Sequence, residues 1–127
     1  NKSEGKISYQ NKVEYAYNAN NQMIGEKTWN ASENEKLKLY QQIEYEYDSE
    51  KRLILKKETY LPTDYAQKTV STIRYLYQNG EIWQTIGESD SYNYIFVYKD
   101  GNLIREKHFG NKKLSTVIDY QYIPFEK

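Results

Sequence analysis

The chain has 127 residues, with 18 Lys+Arg against 18 Asp+Glu, one His, no Cys and 15 Tyr. One domain over 1–127 fits that length, and the balanced charge excludes nucleic acid held through a basic excess over phosphates. The absence of Cys excludes a disulfide framework, a thiolate metal site and a thiol nucleophile, and an aromatic content of 16% argues against disorder.

The opening residues Asn1-Lys2-Ser3-Glu4-Gly5-Lys6 hold no hydrophobic segment, so no signal peptide is read there. Nowhere does an apolar run approach the 18 or so residues of a membrane helix. From Ile7 the alternation of Ile7, Tyr9, Val13, Tyr15 and Tyr17 predicts an ascending strand. A polar turn over Asn18–Gln22 leads to a returning strand that opens at Met23-Ile24. Asn30–Lys38 reads as a polar loop, the one stretch with any helical character. The pattern then repeats: Leu37, Leu39, Ile43, Tyr45 and Tyr47 ascend, Asp48–Arg52 turns, and Leu53-Ile54 returns. After a connector near Leu61–Val70, Thr72–Tyr77 ascends to Asn79-Gly80 and returns from Ile82-Trp83. Asn93–Tyr98 ascends to Asp100-Gly101 and returns from Leu103-Ile104, and Val117–Tyr122 stands as a lone last strand.

The closing tyrosines Tyr17, Tyr47, Tyr77, Tyr98 and Tyr122 lie 30, 30, 21 and 24 residues apart, a repeat that dictates the architecture. The expected fold is all-β: an antiparallel meander of about nine strands in a curved, partly open sheet. Asn79-Gly80 and Asp100-Gly101 are type I′ hairpin signals, so Gly80 and Gly101 should be left-handed, and the longer first two turns should place Asn21 and Lys51 there too. Counting outward sets Tyr17 opposite Met23, Tyr47 opposite Leu53, Tyr77 opposite Ile82, Leu76 opposite Trp83, Tyr98 opposite Leu103 and Phe96 opposite Arg105. The same count puts Tyr15 over Gly25 and brings Lys27, Lys57 and Lys107 beside Val13, Ile43 and Tyr94 on the tyrosine face. On the second face Glu44 and Glu46 would pair with Lys12 and Arg74. There Leu76, Trp83, Ile95, Val97 and Ile104 want cover, from curling of the sheet or from the connector.

Tyr45-Glu46-Tyr47-Asp48-Ser49-Glu50-Lys51-Arg52-Leu53 resembles the YD repeat of RHS-type proteins, with Lys51 where glycine is usual. Tyr17-Asn18-Ala19-Asn20-Asn21-Gln22-Met23 is similar in spacing, and the segments from Tyr77 to Ile82 and from Tyr98 to Leu103 look like versions one residue shorter. The resemblance implies hairpins side by side in a curved sheet, in exported bacterial proteins. At this size it points to small secreted or lipoprotein-like members, as in gut Bacteroidetes, and hence to an extracytoplasmic location. It supplies no catalytic residues.

His108, the sole histidine, rules out a multi-histidine metal site within the chain, and alternation puts it on the second face near Ile104. The carboxylate pairs Glu33/Glu35, Glu44/Glu46 and Glu88/Asp90 allow a glycoside hydrolase only as a third reading. No phosphate loop or EF-hand spacing occurs, and Asn30-Ala31-Ser32 matches the glycosylation sequon. The expected function is non-enzymatic: a binding or scaffolding module that contacts glycans or another surface protein, with no cofactor and no metal. Ligand-binding candidates are Trp83 with Leu76, and Tyr75 with Tyr77 on the opposite face, where a polar surface turns apolar. The alternatives are a structural repeat fragment or an immunity-type partner of a toxin. Trp83 has a competing assignment as the plug of a curled half.

Overall fold

A computed structural model describes residues 9–32 and 35–125. Its nine strands are β1 (Tyr9–Tyr17), β2 (Met23–Ser32), β3 (Lys38–Tyr47), β4 (Leu53–Tyr60), β5 (Thr69–Gln78), β6 (Glu81–Glu88), β7 (Tyr92–Lys99), β8 (Asn102–Gly110) and β9 (Lys113–Asp119). They form one antiparallel sheet in chain order, open between β1 and β9, with no helix among the described residues. Ile7, expected to begin β1, lies outside the described residues.

The turns follow from their side chains. Asn18 Oδ1 accepts from the backbone N–H of Asn20 at 2.9 Å and of Gln22 at 3.0 Å, and Asp48 Oδ1 accepts from Glu50 and Arg52, both at 2.9 Å. These short acceptors close the loop and let Asn21 (φ 61°) and Lys51 (φ 67°) take the left-handed conformation. Asn79 and Gly80 (φ 53° and 82°) and Asp100 and Gly101 (φ 53° and 80°) make the expected type I′ turns. The last strand is not alone. Asn111 and Lys112 (φ 50° and 67°) form a further turn that folds β9 onto β8, and Gly110-Asn111 is its only trace in the sequence.

Each of the four repeat hairpins carries a bulge at the same place. Tyr17 faces Met23, Tyr47 faces Leu53, Tyr77 faces Ile82 and Tyr98 faces Leu103, as the spacing predicts. One step on, an extra residue is inserted in the returning strand: Ile24, Ile54, Trp83 or Ile104. Such an insertion shifts every later position to the other face. Leu76 therefore faces Gln84 instead of Trp83, Phe96 faces Glu106 instead of Arg105, and Ala16 rather than Tyr15 lies opposite Gly25. Lys27, Lys57 and Lys107 leave the tyrosine face and stand opposite Glu14, Glu44 and Ile95. Glu46 faces Leu55 and Arg74 faces Leu55 and Ile86, so the expected pairings with Lys12 and Arg74 do not form.

Every strand packs only on its neighbours in sequence, so the sheet is a single layer. The connector between β4 and β5 covers neither face: residues 62–69 are exposed, with Tyr65 at 98%. Leu76, Ile86, Ile95 and Val97 stay half-buried without the expected cover, since only their cross-strand neighbours shield them. Among the described residues only Ala31, Ile43, Thr59, Thr85 and Gly87 are buried. The chain exposes 9930 Å², whereas a compact monomer of this mass exposes roughly 7,100 Å².

Candidate functional site

The tyrosine face is the chemically distinctive surface. Cross-strand partners share a face, which gathers Tyr45, Tyr75, Tyr94 and Phe96 at its middle, between the exposed Tyr15 and Tyr17 at one edge and Tyr120 and Tyr122 past the other. Tyr94 and Phe96 have ring centroids 4.4 Å apart. Tyr94 also lies over Gly87, its strand partner: a Cβ on that glycine would come within 2.1 Å of the ring. The aromatic-over-glycine device is thus present, though between Tyr94 and Gly87 and not between Tyr15 and Gly25. Burial above all, then the phenols of Tyr94, Tyr45, Tyr77 and Tyr98, pushes the Tyr75 hydroxyl above its usual pKa. Burial likewise raises Tyr45 and Tyr94.

A second use of tyrosine recurs between hairpins. On the turn side of the bulge, the first residues of each returning strand have no ladder partner in the strand that follows; pairing of β2 with β3 begins at Gly25, and of β4 with β5 at Leu55. In three of the four a closing tyrosine further along the chain fills the gap. Tyr47 Oη donates to the Met23 carbonyl at 2.7 Å, Tyr77 to Leu53 at 2.8 Å and Tyr122 to Leu103 at 2.7 Å. Arg52 adds a further tie, with its guanidinium 4.5 Å from the Tyr77 ring centroid and its Nε 2.9 Å from Asp48 Oδ2.

The four candidate residues separate accordingly. Tyr75 and Tyr77 share the tyrosine face, Tyr75 in the central cluster and Tyr77 committed to the Leu53 carbonyl. Leu76 is on the other side, and Trp83 is the bulge residue, 37% exposed. Among the described residues nothing forms a layer above it, so Trp83 does not plug a curled half. Gly80 and Gly101 are turn residues.

His108 is on the tyrosine face, opposite Tyr94, because the Ile104 bulge reverses its parity. Tyr92 Oη shares a hydrogen bond with His108 Nδ1, His108 Nε2 bonds Glu106 Oε1 at 2.8 Å, and Tyr120 Oη donates to Glu106 Oε2. The Tyr120 hydroxyl first, then His108, holds the Glu106 carboxyl below its usual pKa. Counting residues by parity missed this chain, which joins β7, β8 and the exit from β9. It lies on an open sheet, and among the described residues no group of three or more His, Cys, Asp or Glu could hold a metal ion. No helix among them is long and apolar enough to cross a membrane.

The fold and this surface define a class: an all-β hairpin-repeat protein whose single sheet presents one aromatic face. Comparison of the chain with protein-family models, with curated proteins and with solved structures returned no match.

Proposed function

We propose that the protein is a non-enzymatic binding or scaffolding module that works outside the cytoplasm and contacts a glycan or a surface protein through its tyrosine face. The observation that carries this reading is a broad aromatic surface, half-buried at Tyr45, Tyr75 and Tyr94, on a sheet with no second layer. Tyrosine suits such a role, since its ring offers apolar area while its hydroxyl keeps a polar handle. The small YD-repeat likeness of residues 45–53 supports an exported setting. Glycan-array binding by the folded chain tests the reading: saturable signal that is lost in Tyr75→Ala, with circular dichroism unchanged, is the expected result. An array without saturable signal removes the glycan and leaves the protein partner, to be sought by crosslinking at the same face. If neither ligand needs Tyr75 or its neighbours, the module is a structural spacer.

A further inference from the structure

The two edges of the open sheet are built differently. On β9 the extra residue of a bulge, Ser115, lies in the edge strand itself, and beyond it the Tyr120 N–H and Tyr122 hydroxyl bond back to the carbonyls of Ile104 and Leu103. A short, bulged strand resists further pairing on its outer side. β1 has no such guard. From Tyr9 to Ala16 it pairs in step with β2, the irregularity near the turn falls on β2, and residues 10–17 are exposed. Among the described residues no strand lies outside β1 to offer the Tyr17 hydroxyl a carbonyl, as Tyr47, Tyr77 and Tyr122 each find one.

We infer that β1 is a self-association edge, where a second copy of this chain adds its own β1 antiparallel about a two-fold axis through Val13. Cross-strand partners must share a face, so the axis has to pass through a residue position. Centred on Lys12 or on Glu14, the pairing would set like charges face to face. Centred on Val13, it sets Lys12 of each copy against Glu14 of the other, on the face away from the tyrosines, and Asn11 against Tyr15 on the tyrosine face. The Val13 register is the one of the three whose charges are complementary, and opposite charges directly across a pair stabilise it. The product is one continuous sheet whose two tyrosine faces look the same way. This inference does not depend on what the tyrosine face binds.

The test is sedimentation velocity on the full chain from micromolar to near-millimolar concentration, with circular dichroism as the folding control. The chain should pass from monomer to dimer. Lys12→Glu and Glu14→Lys should each weaken association about tenfold, and the double exchange K12E/E14K should restore it, since like charges repel across the interface and the exchange rebuilds both pairs. Because the chain has no other cysteine, Val13→Cys offers a second readout: its symmetric pairing should oxidise to a covalent dimer far faster than Val117→Cys on β9. A chain that stays monomeric throughout overturns the proposal. So does a dimer indifferent to the charge variants, a double exchange that fails to rescue, or equal oxidation at the two cysteine positions.

Discussion

Gly87 and Gly25 both lie inside strands, yet their surroundings make them opposites. A Cβ at Gly87 would drive into the Tyr94 ring, whereas one at Gly25 would meet only the Ile43 carbonyl at 3.7 Å and the Ala16 Cβ at 3.8 Å. Gly87→Ala should therefore cost about 1–3 kcal/mol by overpacking. Gly25→Ala should be neutral or stabilise by up to about 1 kcal/mol, because it restricts the unfolded chain. Denaturant melts of the two variants should move in different directions or by clearly different amounts. At Gly80 and Gly101 space is open and only the backbone objects: with φ of 82° and 80°, a Val at either should cost about 1–2 kcal/mol. If both Val variants melt with the parent, these turns are not left-handed in solution. Trp83 answers to fluorescence. Once Trp29 is replaced by Phe, its emission should be that of a partly solvated indole and iodide should quench it, as its 37% exposure requires.

At the scale of strands and turns, the hairpins were legible and their faces only partly so. Asn79-Gly80 and Asp100-Gly101 name their turn type outright, and Asn18 and Asp48 mark the longer ones. The bulges left no comparable mark. A run such as Met23-Ile24 or Ile82-Trp83 reads as two alternating strand positions, and alternation counted through an inserted residue assigns the wrong face to everything after it. That single error misplaced Lys27, Lys57, Lys107 and His108 together. The role of the closing tyrosines was hidden too, because the carbonyls they cap go unpaired only on the turn side of a bulge that alternation does not show. Tyr77→Phe should cost about 1 kcal/mol, the worth of one hydrogen bond to an otherwise unpaired carbonyl, measured by chemical denaturation. The second turn should be pH-sensitive. The Arg52 backbone N–H first, then its guanidinium and the Glu50 N–H, hold the Asp48 carboxyl below its usual pKa despite some burial. A pKa lowered in the fold means stabilisation present above the ordinary carboxylate value and lost as pH falls through the lowered one. Asp48→Asn keeps the acceptor, as Asn18 does in the first turn, so its melting temperature should fall below the parent's at neutral pH and converge with it in acid.

For the whole molecule, the repeat announces a meander, while composition alone does not reveal that nothing lies above it. The apolar residues of the C-terminal hairpins imply cover, but half-burial by cross-strand neighbours is what Leu76, Ile95 and Val97 receive. The tyrosines supply a global probe. Burial raises the pKa of Tyr45, Tyr75 and Tyr94, so their contribution is complete below the ordinary phenol value of about 10 and is lost as pH rises through the raised ones. Phenolate absorbance from these three should accordingly appear only above the ordinary phenol value, as the strand signal in circular dichroism disappears. The neighbour-only packing of β1 to β9 has one more consequence, for how the chain folds. Every strand-to-strand contact is made between strands adjacent in sequence, so any hairpin can nucleate and growth proceeds outward one strand at a time, as in a one-dimensional lattice. Contact order is low for an all-β protein, and folding should be correspondingly fast. Unfolding should run from both ends inward, with amide exchange slowest in β4 to β6 and fastest in β1 and β9.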